Sequence, residues 1–446
     1  SALSSGVSAI TEDNWFCGET NFEADYIKLS DKKGDDEYFY WFVPSRSEDS
    51  SKDPLVLWLT GGPGGSSVMA MLTENGPCMV LPDVSTQWNR YSWSNNANMI
   101  WLDQPSGVGY SDYSSSADTD YTEADVGANM WAFLNGFLDK HPEFVGREFY
   151  ITGESYGGHY IPGASHYVWL QNKELKAKGE TPRINLQGIA IGNGLTNPNI
   201  QYKYNQDMVN NQYNITLLTP AQAEKMKVDS VECIALTEQC QESPKNGTVC
   251  SDAQGCWAEK LIGPFGDAHR NMYDIRKVCD PAKPVTCGLD YSYLNKYLDL
   301  DIVKKHLKVV KHEWIESNPF VNHNYVSSGD WSFAYHPYVA DLLNDNLRVL
   351  IYAGDADLMC NWIGNRAWTL ELEWKGKDGF NAAAEHAFET QDPFVADAPV
   401  VDAGVARQFE NLAFVRLYES GHMVPMDQPA VSWVMLDKFL TNKPLY

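Results

Sequence analysis

The sequence predicts an α/β fold, with a mostly parallel central sheet, helices on both faces and an inserted cap region. Three observations carry this expectation. Continuous apolar runs end in Gly-rich turns, such runs alternate with helical stretches, and one run leads into Gly153-Glu154-Ser155-Tyr156-Gly157. Leu55-Val56-Leu57-Trp58-Leu59 is apolar at every position, as a parallel strand buried on both faces should be, and ends in Thr60-Gly61-Gly62-Pro63-Gly64-Gly65. Asn98-Met99-Ile100-Trp101-Leu102 repeats the pattern before Asp103-Gln104-Pro105. Residues 122 to 139 have helical spacing. Residues 147 to 152 form a β-rich run into Ser155, followed by a helix-compatible stretch through Trp169. Residues 183 to 191 read as another strand, closing on Gly192-Asn193-Gly194, and the sheet pattern returns at 347–354 and 413–418. Strands alternating with helices imply parallel pairing by crossovers. Between 196 and 325 the texture changes, with six of the nine cysteines and little regular strand. The expected division is therefore a core in two parts, 1–195 and 326–446, interrupted by a disulfide-rich cap at 196–325.

Composition narrows the function. The 446 residues carry a formal charge of −25, which argues against nucleic-acid binding and suits a soluble protein of an acidic fluid. No apolar run approaches the ~20 residues that span a bilayer. Ser1-Ala2-Leu3-Ser4-Ser5-Gly6 lacks the charged start and apolar block of a signal peptide, so a processed, mature chain is expected. Clustered cysteines and two sequons, at Asn214 and Asn246, point to an oxidised, glycosylated protein of the secretory route. No zinc-type cysteine spacing occurs, so neither a metal nor another cofactor is expected.

A strand, Gly-x-Ser-x-Gly and a helix make the setting of a nucleophile elbow, although a plain Gly-rich turn would look the same. A serine hydroxyl needs a base held by a carboxylate. In the α/β-hydrolase fold the chain order is Ser, acid, His, each after a strand. Only His386 and His422 lie beyond 354, and His422 follows the 413–418 run directly, whereas His386 has no strand before it. For the acid, Asp355 and Asp357 compete, and position does not separate them. The backbone N–H of Tyr156 and one from Gly61-Gly62 are placed to form an oxyanion hole.

Seven blocks together resemble the serine carboxypeptidase family, of the carboxypeptidase Y and cathepsin A type. They are Trp58–Gly64, Glu74-Asn75-Gly76-Pro77, Leu102–Pro105, Gly153–Tyr156, Ile191–Gly194, Gly354–Gly364 and Gly421-His422-Met423-Val424-Pro425. The resemblance implies an α/β-hydrolase fold and release of one C-terminal residue from peptides through an acyl-enzyme. It implies Ser155 as nucleophile, His422 as base, Asp357 as orienting acid, and Gly62 and Tyr156 as oxyanion donors. Trp58, Thr60, Gly61, Glu74 and Glu154 fall where the family binds the terminal carboxylate, and Cys360 and Met423 where it lines the leaving-residue pocket. Two adjacent glutamates accept a substrate carboxylate only when at least one is protonated, which fits an acid enzyme. His422 must nevertheless stay neutral to act as base.

Two departures from the family pattern stand out. Thr60 replaces the usual Asn and offers one donor instead of two, so weaker carboxylate recognition is expected. Gly65 replaces a cysteine whose partner would fall near Ser317, so that bridge is expected to be lost. The remaining cysteines fit a framework of Cys233–Cys256, Cys240–Cys250, Cys279–Cys287 and Cys17–Cys78, leaving Cys360 as a free thiol beside the active site. Acyl transfer to an alcohol on the same scaffold is the main rival, and a silent binding protein the weaker one, since all three triad candidates are present. Expected partners are peptides with a free C-terminus, in a lysosome, a vacuole or the extracellular fluid. Side-chain preference stays open, as does a homodimer.

Overall fold

The computed structural model describes residues 10–29, 36–112, 119–244, 246–280, 282, 290–309 and 313–446. Ten strands form one sheet in the spatial order Glu23–Lys28, Glu37–Val43, Asn98–Leu102, Leu55–Leu59, Glu148–Glu154, Asn185–Gly192, Arg348–Gly354, Leu412–Leu417, Val400–Phe409, His386–Gln391. The six from Asn98–Leu102 to Leu412–Leu417 pair in parallel, and the outer pairs on both sides are antiparallel.

The apolar strands are buried on both faces because each feeds two cores. Leu55, Leu57 and Leu59 pack in one cluster with Phe133 and Ile161, from the helices Glu123–Lys140 and Gly157–Ala177. Val56 and Trp58 point the other way, into a cluster with Trp93 and with Met435 of the helix Pro429–Leu440. Each fully buried large apolar side chain is worth about 1.5–3 kcal/mol, so this two-faced sheet is the main stabilising unit.

The expected inner strands are present within one or two residues, but the antiparallel flanks are additions to the expected sheet. Their outermost strands are half-exposed or exposed at alternate positions and carry charges, so they lack the continuous apolar signal. His386 in particular starts an edge strand, is exposed, and stacks on Tyr446 at 4.4 Å. From 196 to 325 helices dominate among the described residues, including Pro220–Glu242, Gly247–Cys256 and Ser292–Leu298, with a small hairpin at Arg270–Asn271 and Asp274–Val278. No helix among the described residues is long and apolar enough to cross a membrane.

Candidate active site

Ser155 sits between the strand Glu148–Glu154 and the helix Gly157–Ala177 with φ +62°, a conformation few side-chain-bearing residues adopt. Its N–H donates to Gly192 O at 3.1 Å, and its C=O accepts from Gly158 (2.9 Å) and Leu195 (3.0 Å). A side chain at Gly153 would meet Leu59 O at 1.9 Å, and one at Gly61 would meet Tyr156 N at 2.2 Å. The turn after Leu55–Leu59 is thereby pressed against the serine. Neither the Gly62 nor the Tyr156 N–H is committed to a hydrogen bond among the described residues.

The two candidate acids have separate surroundings. Asp357 is fully buried, and its Oδ2 accepts from His422 Nδ1 (2.8 Å), Asn193 Nδ2 (2.8 Å) and Cys360 N (3.1 Å). Its Oδ1 accepts from Met359 N at 3.0 Å. Asp355 instead takes the Tyr213 hydroxyl and Arg416 Nη2, the latter at 3.3 Å. His422 is held by its N–H to Tyr273 O at 2.7 Å and by an edge contact of its ring with Tyr273 at 5.0 Å. With Nδ1 turned to Asp357, Nε2 is the ring nitrogen left over.

Ser155 and His422 line one cavity of about 260 Å³, together with Thr60, Gly61, Gly62 and Met423. A larger hollow of about 1150 Å³ lies around Glu148, Arg348 and Asn411, at the other end of the strands. Ligands of open α/β sheets bind at the carboxyl ends, where the smaller cavity is.

Glu154 also lines this cavity, and Glu74, from the turn Met71–Asn75, lies beside it. Both are almost wholly buried, and neither Glu74 oxygen nor Oε2 of Glu154 has a donor among the described residues. Ionised, the two would repel with three of their four oxygens lacking a partner among the described residues, so the pair is stable only with a proton between them. Burial pushes the Glu74 carboxyl up to about 8, with Asp427 adding to the rise and Glu154 opposing it. Burial, then the Glu74 charge, raises Glu154 well above the ordinary range.

A serine on a strained turn, a His–Asp pair and a buried carboxyl pair thus lie on or beside one cavity. The family model described as serine carboxypeptidase matches residues 17–442. The chain belongs to the serine carboxypeptidase family. It is 37% identical to a carboxypeptidase Y of Komagataella phaffii, covering 95% of this chain and 77% of that one. It is also 37% identical to a serine carboxypeptidase-like protein of Oryza sativa, covering 94% and 92%. Among solved structures, that of Kex1(delta)p, a prohormone-processing carboxypeptidase from Saccharomyces cerevisiae, matches with a TM-score of 0.79 and 25% identity, covering 94% and 91%. This likeness, with the parallel sheet and its elbow, makes the fold that of the α/β-hydrolases.

The expected carboxylate-site residues are not all on the cavity wall. Trp58 is fully buried and does not line it, but its Nε1–H donates to Thr60 Oγ1 at 2.9 Å. The Thr60 N–H donates to Ser67 Oγ at 3.0 Å, and the Thr60 hydroxyl, which accepts from Trp58, donates no hydrogen bond among the described residues. Cys360 is not on the wall either. It is a buried free thiol against Asp357, raised by burial and by the charges of Asp357 and Glu154. Gly65 and Ser317 face each other in an antiparallel bridge on the cavity wall, so the two positions meet without a disulfide. Met69, Tyr273, Tyr291 and Glu316 complete the wall, and sequence reasoning misses them. It also misses Asn193, whose side chain joins Gly354 N (3.0 Å) to Asp357. The Ile191–Gly194 block is a signal for Asn193, but of resemblance and not of role.

Cys17–Cys78, Cys233–Cys256 and Cys240–Cys250 are disulfides. Cys279 is also disulfide-bonded, and Cys287 lies outside the described residues. No group of three or more His, Cys, Asp or Glu able to hold a metal ion occurs among the described residues.

Proposed function

We propose that the chain removes single residues from free peptide C-termini at acid pH, with Ser155, His422 and Asp357 as its catalytic triad. The Ser155 hydroxyl attacks the last peptide carbonyl while His422 Nε2 takes its proton, and Asp357 holds the ring and balances its charge. The N–H groups of Gly62 and Tyr156 receive the developing oxyanion. His422 then protonates the leaving amine as the C–N bond breaks, and water, deprotonated by the same histidine, cleaves the acyl-serine ester.

Thr60, Gly61 and the Glu74–Glu154 pair receive the substrate's carboxylate, with Trp58 orienting Thr60 and Met423 facing the leaving residue. The observation that carries this reading over a general esterase is the buried glutamate pair, which lacks donors and lies beside the serine. A protonated carboxyl there is a donor aimed at an anion. Residues 196–325 act as a cap over this site. The disulfides, with exposed Asn214 and Asn246 as glycan acceptors, support a place in the secretory route, ending in a lysosome, a vacuole or the extracellular fluid.

The test is a blocked dipeptide incubated near pH 5 and near pH 9, with and without a serine-directed organophosphate. Amino acid released faster at the lower pH, and abolished by the inhibitor and by Ser155→Ala, is expected. Turnover only with an added alcohol acceptor would instead indicate acyl transfer, and absence of Ser155 labelling would indicate a silent protein.

A further inference from the structure

Tyr291 stands on the wall of the substrate cavity, immediately before the helix Ser292–Leu298, and is 4% exposed. Its backbone is pinned, its C=O accepting from Leu294 N at 2.8 Å. Its ring lies 6.3 Å from that of Tyr293. Its hydroxyl has no hydrogen-bond partner among the described residues. A buried hydroxyl left unpaired costs about 1–3 kcal/mol, and native proteins keep few of them without a use.

The surroundings indicate that use. The charges of both Glu74 and Glu154 act on the Tyr291 phenol, so it lies within electrostatic reach of both. Thr60 and Glu154 line the same wall. Burial first, and those charges next, keep the phenol in its O–H form, able to donate at any working pH. The need for a donor is equally visible. Thr60 has one hydroxyl hydrogen to give, where the Asn of the family pattern would present two N–H groups. A carboxylate can accept about four hydrogen bonds.

We propose that the Tyr291 hydroxyl is a further substrate-binding donor, hydrogen-bonded to the terminal carboxylate of the bound peptide beside Thr60. The proposal rests on the carboxypeptidase reading above. Tyr291 supplies from the 196–325 stretch the donor that Thr60 lacks, so the carboxylate is gripped from two segments far apart in sequence. No bond is made or broken at Tyr291, and its role is binding.

Tyr291→Phe in the full chain tests this near pH 5, on one blocked peptide with a free C-terminus and on its C-terminal amide. A hydrogen bond to a charged group is worth roughly a tenfold to hundredfold change in affinity. The expected result is a KM for the free acid raised about tenfold or more, with kcat within about twofold and the amide unaffected. Thr60→Asn in the same chain should recover part of the loss. The melting temperature should stay level or rise, because the deleted hydroxyl has no partner among the described residues. A wild-type KM in Tyr291→Phe overturns the proposal, as do equal losses on acid and amide, or a lowered melting temperature. If the wild type releases nothing from the free peptide, the carboxypeptidase reading fails first and takes this one with it.

Discussion

Replacing both Glu74 and Glu154 by Gln tests the protonated clamp most directly. The Glu74 carboxyl is raised from the ordinary 4.5 to about 8, chiefly by burial, and this difference amounts to about 5 kcal/mol in favour of its protonated form. Glu154 is raised by burial and by Glu74, so the pair keeps at least one proton through the acid range. As pH rises through about 8 the pair loses a proton, and a substrate carboxylate then meets a negative charge where it met a donor. KM of the wild type for a free-acid peptide should therefore rise about tenfold per pH unit above that point, because only the protonated site binds. Two glutamine amides donate at every pH and carry no charge. In Glu74→Gln/Glu154→Gln, KM should stay within about threefold from near pH 6 to near pH 9. Steady-state kinetics across that range, with the C-terminal amide as control, make the measurement. The same variant has a stability signature whose sign is fixed. A carboxyl whose folded-state pKa is raised contributes no penalty below its ordinary value. It loses stability progressively as pH rises from there to its folded value. The variant should accordingly melt above the wild type by a margin that grows from acid to neutral pH, to which the Glu74 shift alone contributes ~5 kcal/mol at most. A variant that keeps the alkaline rise in KM would falsify the clamp as the titrating element.

Three further outcomes follow from other residues. Thr60→Asn should raise the preference for free over blocked C-termini several-fold in kcat/KM, and an unchanged ratio would reject Thr60 as a carboxylate contact. Asp330 takes the Tyr156 and Tyr335 hydroxyls, each at 2.7 Å, close to the buried Glu123 carboxyl, which has no donor among the described residues. Burial raises both acids, Asp330 to about 6, and raises Asp120 to about 7, so thermal stability should fall as pH climbs from near 5 to near 8. Glu123→Gln should flatten that fall in a pH series of melting curves, and an unchanged slope would place the loss elsewhere. Cys360 is 8% exposed with its thiol raised well above the usual value, so iodoacetamide should label it at least a hundredfold more slowly in the native protein than in urea. Fast native labelling would contradict its burial.

What is legible in the sequence depends on whether the signal is local. Leu55–Leu59 and the run into Ser155 announce themselves because a strand buried on both faces must be apolar throughout, and the elbow carries its glycines within a few residues of the serine. His422 is separable from His386 by the strand before it, even though His386 lies in a strand of its own, at an exposed edge. Asp355 and Asp357 are not separable by position, because what distinguishes them comes from far away. Tyr213 and Arg416 occupy one, and His422 and Asn193 the other. Glu74 and Glu154 are joined only through resemblance, since no spacing rule brings a turn after one strand against the end of another. Tyr291 leaves no trace at all, being one of 24 tyrosines in a chain whose helices from 196 to 325 carry no strand rhythm to place them. Its hydroxyl, without a partner among the described residues, has meaning only once the cavity wall is assembled. The residues proposed for the chemistry are therefore readable from motif order, whereas those proposed to select the substrate depend on contacts between distant segments.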